Sequence, residues 1–335
     1  MPCIRVQVAI SARAFYADKA AGETDLSDDA AEDIVINLRP IDQMRIEQLR
    51  KRTETALASD NIWYIHTVLA QCFLPYKDPK TDRWQRTNGD FSILLVSGDV
   101  RDPQARFGFR NVGLPYGPKP RLFQSYVCTQ AMKQKSPVIP VERSMTALMR
   151  ELGLGTSGGK EGPMKIFKEQ TTRFAACHFT IVGPGPRGGD TYIKAPPIKK
   201  FDVWFPANAD QGTLWPSEIV LTDEYFYSLK DHAIPYDFRA LKAIQNKPRA
   251  QDIYLWMTQR LCRIPYNKPL LMRWHDLYEM FGGISSLKEF KRGFPDDLAA
   301  ARASYPDARL EDHAEGYLFY ASTPPIPKTK VIVKK

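Results

Sequence analysis

The stretch that most limits what this chain can fold into is residues 217–322, a close succession of runs whose apolar spacing changes from segment to segment. SEIVL is a short β-like run, and TDEYFYSL opens on a threonine placed to cap a helix. PYDFRALKAI and DIYLWMTQRL follow with helical spacing, the second carrying Ile253, Trp256, Met257, Leu261 and Ile264 as a buried stripe. In RWHDLYEMFG, Trp274, Leu277, Tyr278 and Phe281 form the apolar face, and Gly282-Gly283 ends the helix. The next run, SSLKEFKRGFPDDLAAARASYP, places Leu287, Phe290, Phe294, Leu298 and Tyr305 on one side of a helical wheel. Lys288, Lys291, Arg292 and Arg302 fall on another side. Apolar anchoring on one face with cations on the other suits a helix laid against DNA, where cations reach phosphates and guanine edges. Gly293-Phe294-Pro295 interrupts the pattern, so a kink or break is expected there, with 286–292 as the contacting half. RLEDHAEGYLFYAS closes the segment as two short strands around a polar turn.

The preceding segment repeats this order. SMTALMREL puts Met145, Leu148, Met149 and Leu152 on one helical face, GLGTSGGKEG forms a turn, and Pro163 opens the next helix. In PMKIFKEQTTRFAAC, Met164, Phe167, Thr171 and Phe174 point inward, while Lys165, Lys168 and Thr172 share an outer face flanked by Arg173. FTIVG and KKFDVWF read as strands, and the loop from Pro184 to Lys200 carries Arg187, Lys194, Lys199 and Lys200 against Asp190. Helix, turn, helix and hairpin in that order describe a winged helix-turn-helix. The fold class expected is therefore α+β, predominantly helical, with two tandem winged-helix domains at 43–210 and 211–335, the latter ending in a basic tail, PKTKVIVKK.

Upstream, NIWYIHTVLAQCF repeats Ile62, Ile65, Leu69 and Phe73 at helical steps, with His66 as a packed or surface residue. Residues 75–90 read as a polar loop, FSILLVS as a strand, and GLPYGPKPRLFQSYVCTQAM as a helix packing through Leu122, Tyr126 and Thr129. Residues 1–42 form an arm, flexible and partly acidic: between 18 and 33, Asp18, Glu23, Asp25, Asp28, Asp29, Glu32 and Asp33 face Lys19 alone.

The net charge of +9 over 335 residues favours phosphate-bearing partners. Five scattered cysteines without CxxC spacing read as free thiols, and no apolar run approaches 18 residues, so a soluble, cytoplasmic protein without a membrane partner is expected. Enzymatic chemistry finds little support. GTSGGKEG lacks the spacing of a phosphate-binding loop and has Glu161 where a hydroxyl should hold magnesium. A nicking enzyme needs two metal-binding histidines one residue apart. The nearest two here, His275 and His313, lie 38 residues apart. No cofactor or metal is expected.

The blocks GLPYGPKPRLFQSYVCTQAM, SMTALMRELGLGTSGGKEGPMKIFKEQTTRF, PSEIVLTDEYFYSLKDHAIPYDFRALKAI with DIYLWMTQRL, and WHDLYEMFG with SYP resemble plasmid-encoded RepA replication initiators from about Gly113 to Ser322. The resemblance implies a bacterial, plasmid-borne initiator that binds repeated double-stranded DNA sites at an origin. It also implies opening of a nearby AT-rich stretch, recruitment of the host replicative helicase and initiator proteins, and a homodimer in one state. By the same analogy the second domain reads origin DNA, while the first serves self-association and DNA backbone contacts. A winged-helix transcriptional repressor is the alternative that shares the binding physics.

Overall fold

The computed structural model describes residues 61–141, 144–157, 162–184, 190–200, 218–283 and 285–326. The acidic arm, the helical pattern before residue 61, Arg187, most of KKFDVWF and the basic tail lie outside the described residues.

NIWYIHTVLAQCF is not a helix: Ile62–His66 is a strand, β1, and Thr67–Ala70 a single 3₁₀ turn. Its spacing fits a helix, but Trp63 and Ile65 are buried while Ile62 and Tyr64 are half-exposed, which is the alternation of a strand. A partner far along the chain decides it: β1 pairs antiparallel with β11, Ala233–Asp237. Trp63 stacks on Phe238 just beyond that strand. The polar loop expected at 75–90 likewise contains a strand, β2, Arg83–Asn88. It forms a two-residue hairpin with β3, Phe91–Val96, in which Gly89 takes the left-handed φ of +56°.

Asp99–Arg101 (β4) and Phe109–Asn111 (β5) form an isolated two-stranded ribbon. Helix α1, Pro118–Gln134, begins on proline and ends with Lys135 left-handed; Leu122 and Tyr126 are buried as expected. After β6, Val138–Pro140, Ser144 caps α2, Met145–Glu151, and Leu148, Met149 and Leu152 enter the core. Helix α3, Pro163–Ala176, buries Phe167, Thr171 and Phe174. Phe123 of α1 meets Phe167 and Phe174 edge-on, and Phe174 meets Phe179. These offset contacts add about 0.5–1.5 kcal/mol each to the burial of the rings.

β7, His178–Pro184, pairs with β3 and with β8, Asp190–Ala195, giving the order β2-β3-β7-β8. The stretch read as a basic loop therefore contains an edge strand. β9, Ile198–Lys200, joins β6 through β10, Glu218–Leu221. Thr222 precedes α4, Asp223–His232, but its hydroxyl donates to Pro196 O instead of capping the helix. α5, Phe238–Ala243, and α6, Pro248–Arg260, follow β11. Every residue of α6 from Ala250 to Gln259 is buried, so it is packed on all sides and not along one stripe.

The last part runs β12 (Leu270–Arg273), α7 (Trp274–Phe281), α8 (Leu287–Ala303), β13 (Leu310–His313) and β14 (Gly316–Phe319), with sheet order β12-β14-β13. The break expected at Pro295 is absent: α8 is continuous, with Pro295 exposed inside it. Its buried face, Phe290, Phe294 and Leu298, is held by rings from α7, and that packing outweighs the lost backbone donor. The fold is α+β. Its strands fall into five small sheets among the described residues, so "predominantly helical" overstates the helices.

Contacts cross position 210 at several places. Besides β1–β11 and β6–β10, Arg121 of α1 forms a buried, two-pronged ion pair with Asp252 of α6, at 2.8 and 2.7 Å. Arg86 of β2 donates to Met280 O and Gly282 O, so it satisfies carbonyls at the end of α7.

Candidate nucleic-acid interface

Helix α8 is built to present one face. Ser286 Oγ accepts from Glu289 N, and Glu289 Oε2 accepts from Ser286 N, a reciprocal cap that fixes the first turn. Phe290 and Phe294 anchor the inner face against Tyr278, Trp274 and Phe281. Leu287, expected among them, is instead exposed, because the apolar face begins one turn later. Arg249 of α6 crosses at Gly293, ion-pairs with Asp297 at 2.6 Å and lies over the Phe290 ring. A side chain at 293 would press on that guanidinium.

With the inner face locked, Lys288, Lys291 and Arg292 are exposed on the opposite side within the first two turns. Lys291 Nζ lies 5.5 Å from the Trp274 ring centre, which orients it without removing it from solvent. Arg302 shares the Lys291 stripe three turns on, about 16 Å along the axis, and is half-buried. It sits in the last turn, where a cation also complements the helix carbonyl end.

The first copy divides its residues differently. Lys165 is exposed on α3. Lys168 is half-buried, and burial lowers its pKa. Thr172, expected on the outer face, is 2% exposed, so the buried arc of α3 is wider than its apolar residues alone suggest. Arg173 is also turned to structure. It pairs with Glu169 at 2.7 Å and Asp78 at 3.5 Å, donates to Leu114 O and lies over the Tyr116 ring. Lys199 and Lys200 are exposed on β9, the latter paired with Glu218 at 2.9 Å. Lys194 lies beside the exposed ring of Tyr192 on edge strand β8.

The strands that follow α3 and α8 differ in sign, although β8 and β9 lie in different sheets and, of the two pairs, only β13–β14 is a hairpin. β8 and β9 present lysines, whereas the β13–β14 hairpin presents Glu311, Asp312 and Glu315. Two of these acids are engaged, Glu311 by Tyr320 Oη and Glu315 by Arg273. RLEDHAEGYLFYAS forms the hairpin expected of it, and the acids of RLEDHAEG lie on that hairpin.

Among the described residues no group of three or more His, Cys, Asp or Glu side chains is arranged to hold a metal ion, and no helix is long and apolar enough to cross a membrane. His66 is packed as expected. Its Nδ1 accepts from Val68 N and its Nε2 donates to Ser228 Oγ, and burial, with His232 alongside, lowers its pKa to about 3. Cys72, Cys128 and Cys177 are free and buried; Cys262 is free and exposed.

Residues 114–275 match the family model described as plasmid encoded RepA protein. The resemblance carried by the sequence blocks therefore holds over that span. No curated protein matches the chain. Among solved structures, domains 2 and 3 of RctB (selenomethionine derivatives) align with a TM-score of 0.43 and 12% identity, covering 69% of this chain and 82% of that one.

Proposed function

We propose that this chain, whose residues 114–275 match the family model of plasmid encoded RepA protein, is a plasmid replication initiator that binds repeated double-stranded DNA at the replication origin. The observation that carries the DNA-binding part is α8: a capped helix, anchored by aromatic rings, with Lys288, Lys291 and Arg292 outward. The order α6-β12-α7-α8-β13-β14, with β14 between β12 and β13, supports a winged-helix reading of 211–335 in which α8 enters the major groove. Residues 43–210 make the companion domain, serving self-association and DNA backbone contacts through Lys165, Lys168, Lys199 and Lys200. Thr172 and Arg173 drop out of that set because they are committed to the core and its edge. The work needs no covalent chemistry: cations displace counterions, and two linked contact surfaces gain from effective concentration. Local melting and recruitment of the host helicase complete the proposed role, in the bacterial cytoplasm.

The test is binding of wild type and Lys288→Ala/Lys291→Ala/Arg292→Ala to origin repeats and scrambled duplex at two salt concentrations. Each lost phosphate contact should flatten the log–log salt slope by about 0.9. Loss of repeat preference with an intact fold supports the reading; an unchanged preference removes α8 from it. Origin-dependent replication of a reporter plasmid, as opposed to silencing alone, separates an initiator from a repressor.

A further inference from the structure

The β4–β5 ribbon plays no part in the interface above, yet it carries the most exposed phenylalanines of the described chain. Phe107 is 81% exposed and Phe109 64%, while every other described phenylalanine is buried or half-buried. A soluble chain keeps rings out of the core at a cost, so two on one short ribbon call for an occupant.

The ribbon is a built element. Asp102 N donates to Gly108 O, Ala105 N to Asp102 O and Gly108 N to Ala105 O, with Gly108 left-handed at φ +73°. Asp102 Oδ1 accepts from Gln104 N, and Oδ2 accepts from Arg110 Nε at 3.1 Å. At its base, Gly98 and Gly113 lie so close to the C-terminal end of α3 that a side chain at either would meet Ala176 O or the Arg173 guanidinium. The ribbon thus projects from the helix that also carries Lys165 and Lys168.

Its outward face has a definite chemistry. Arg101 stands directly across from Phe109 in the register, and Arg106 lies 5.2 Å over the Phe107 ring. Val100, which could have extended an apolar patch, is buried beneath. Asp99 is exposed on the same face, while Asp102 is spent inside the turn. Flat rings beside guanidinium groups, with Pro103 of the turn as the one exposed aliphatic side chain of the ribbon, match a nucleic-acid strand better than a protein surface. A phenyl ring has no donor or acceptor with which to read a base edge; what it offers is a face on which a base can stack. In a duplex those base faces are already covered.

We propose that the Asp99–Asn111 ribbon binds unpaired DNA, with bases stacked on Phe107 and Phe109 and phosphates held by Arg101 and Arg106. The inference rests on the initiator reading for its setting, in which a strand released beside the duplex-bound repeats would be captured, but its test is separable.

The experiment uses the full chain and three labelled ligands: a thymidine homo-oligonucleotide, which has no pairing partner, origin-repeat duplex, and the same duplex with a mismatched bubble. Phe107→Ala/Phe109→Ala should weaken binding to the unpaired oligonucleotide at least about tenfold and leave repeat-duplex affinity within about twofold, with an unchanged melting temperature as the fold control. Phe107→Trp/Phe109→Trp should retain or exceed wild-type affinity for the unpaired strand, and the bubble should bind more tightly than the closed duplex only when rings are present. The α8 triple variant should behave in the opposite way, losing duplex preference and keeping the unpaired strand. No measurable wild-type binding to the oligonucleotide, an undiminished affinity in the Ala variant, or a loss confined to duplex would each overturn the proposal while leaving the duplex result to be judged by itself.

Discussion

Replacing Arg121 with methionine tests how the two halves of the chain are held together. Arg121 is 4% exposed and makes five hydrogen bonds: two to Asp252, and one each to Pro75 O, Gly117 O and Leu74 O. Methionine fills similar space but leaves the carboxylate and three carbonyls without this partner. Stranding one member of a buried ion pair costs about 3–5 kcal/mol, a large share of the roughly 5–15 kcal/mol that holds a domain folded. Asp252→Asn should cost less, about 1.5–3 kcal/mol, because Arg121 keeps its three carbonyls. The sign of the pH effect follows from Asp252. Burial already holds its carboxyl above the usual carboxylate range, with Arg121 opposing that shift. Without Arg121 the folded-state pKa rises further. A carboxyl that protonates more readily when folded binds extra protons in the folded state, so the variant loses stability as pH climbs from about 4 through that raised pKa. Urea unfolding followed by tryptophan fluorescence at pH 5 and pH 7 should therefore show the deficit against wild type growing with pH. A deficit below about 1 kcal/mol at pH 7, or one larger at pH 5 than at pH 7, would refute the argument.

His66 gives the opposite slope. With a folded pKa of about 3 against an ordinary 6.5, the unfolded chain binds more protons between those values. Wild type should therefore lose about 2 kcal/mol between pH 8 and pH 5 that His66→Gln does not, measured as the difference in their urea midpoints. Burial raises the thiols of Cys72, Cys128 and Cys177 to about 12, 11 and 12. Alkylation of native protein at pH 8, mapped by mass spectrometry, should mark Cys262 quickly and these three only after denaturant is added; early labelling of any of the three would contradict their burial.

The helices with strong local signals were legible, and for physical reasons. Pro163 at a first turn and Gly282 as a stop are chemistry confined to one turn of backbone, which sequence displays directly. The caps at Ser144 and Ser286 have no counterpart in the sequence reading, and Thr222, read as a cap, donates to Pro196 O instead. β1 was not legible. Ile62, Ile65 and Leu69 satisfy a helical period by coincidence of spacing, and only the pairing of Ile62–His66 with Ala233–Asp237 overrides it. Thr172 is not legible for a related reason: how wide an arc α3 buries depends on tertiary packing, which the apolar spacing of the helix does not carry. The Phe107–Phe109 ribbon gives no signal in the sequence, because RDPQARFGFRN has neither apolar period nor metal-ligand spacing. Its signal is exposure, which exists only once the fold does.

The distribution of charge along the two helices then narrows how DNA can approach. In α8 the exposed cations Lys288, Lys291 and Arg292 all precede Gly293, and the following turn turns acidic at Asp296 and Asp297, the latter tied to Arg249. In α3 Lys165 and Lys168 occupy the first half, while Arg173 in the second is held by Glu169, Asp78 and Leu114 O. Both helices thus offer their N-terminal halves, where the backbone dipole adds to the attraction for phosphate, and use their C-terminal halves for packing. Glu311, Asp312 and Glu315 on the β13–β14 hairpin would repel a backbone brought against them. A duplex meeting α8 end-on through residues 286–292 escapes that repulsion, whereas one lying along the whole helix and the hairpin does not. On the proposed reading, sequence recognition by the second half would fall to the helix start, and the acidic hairpin would restrict the angle at which a duplex could dock.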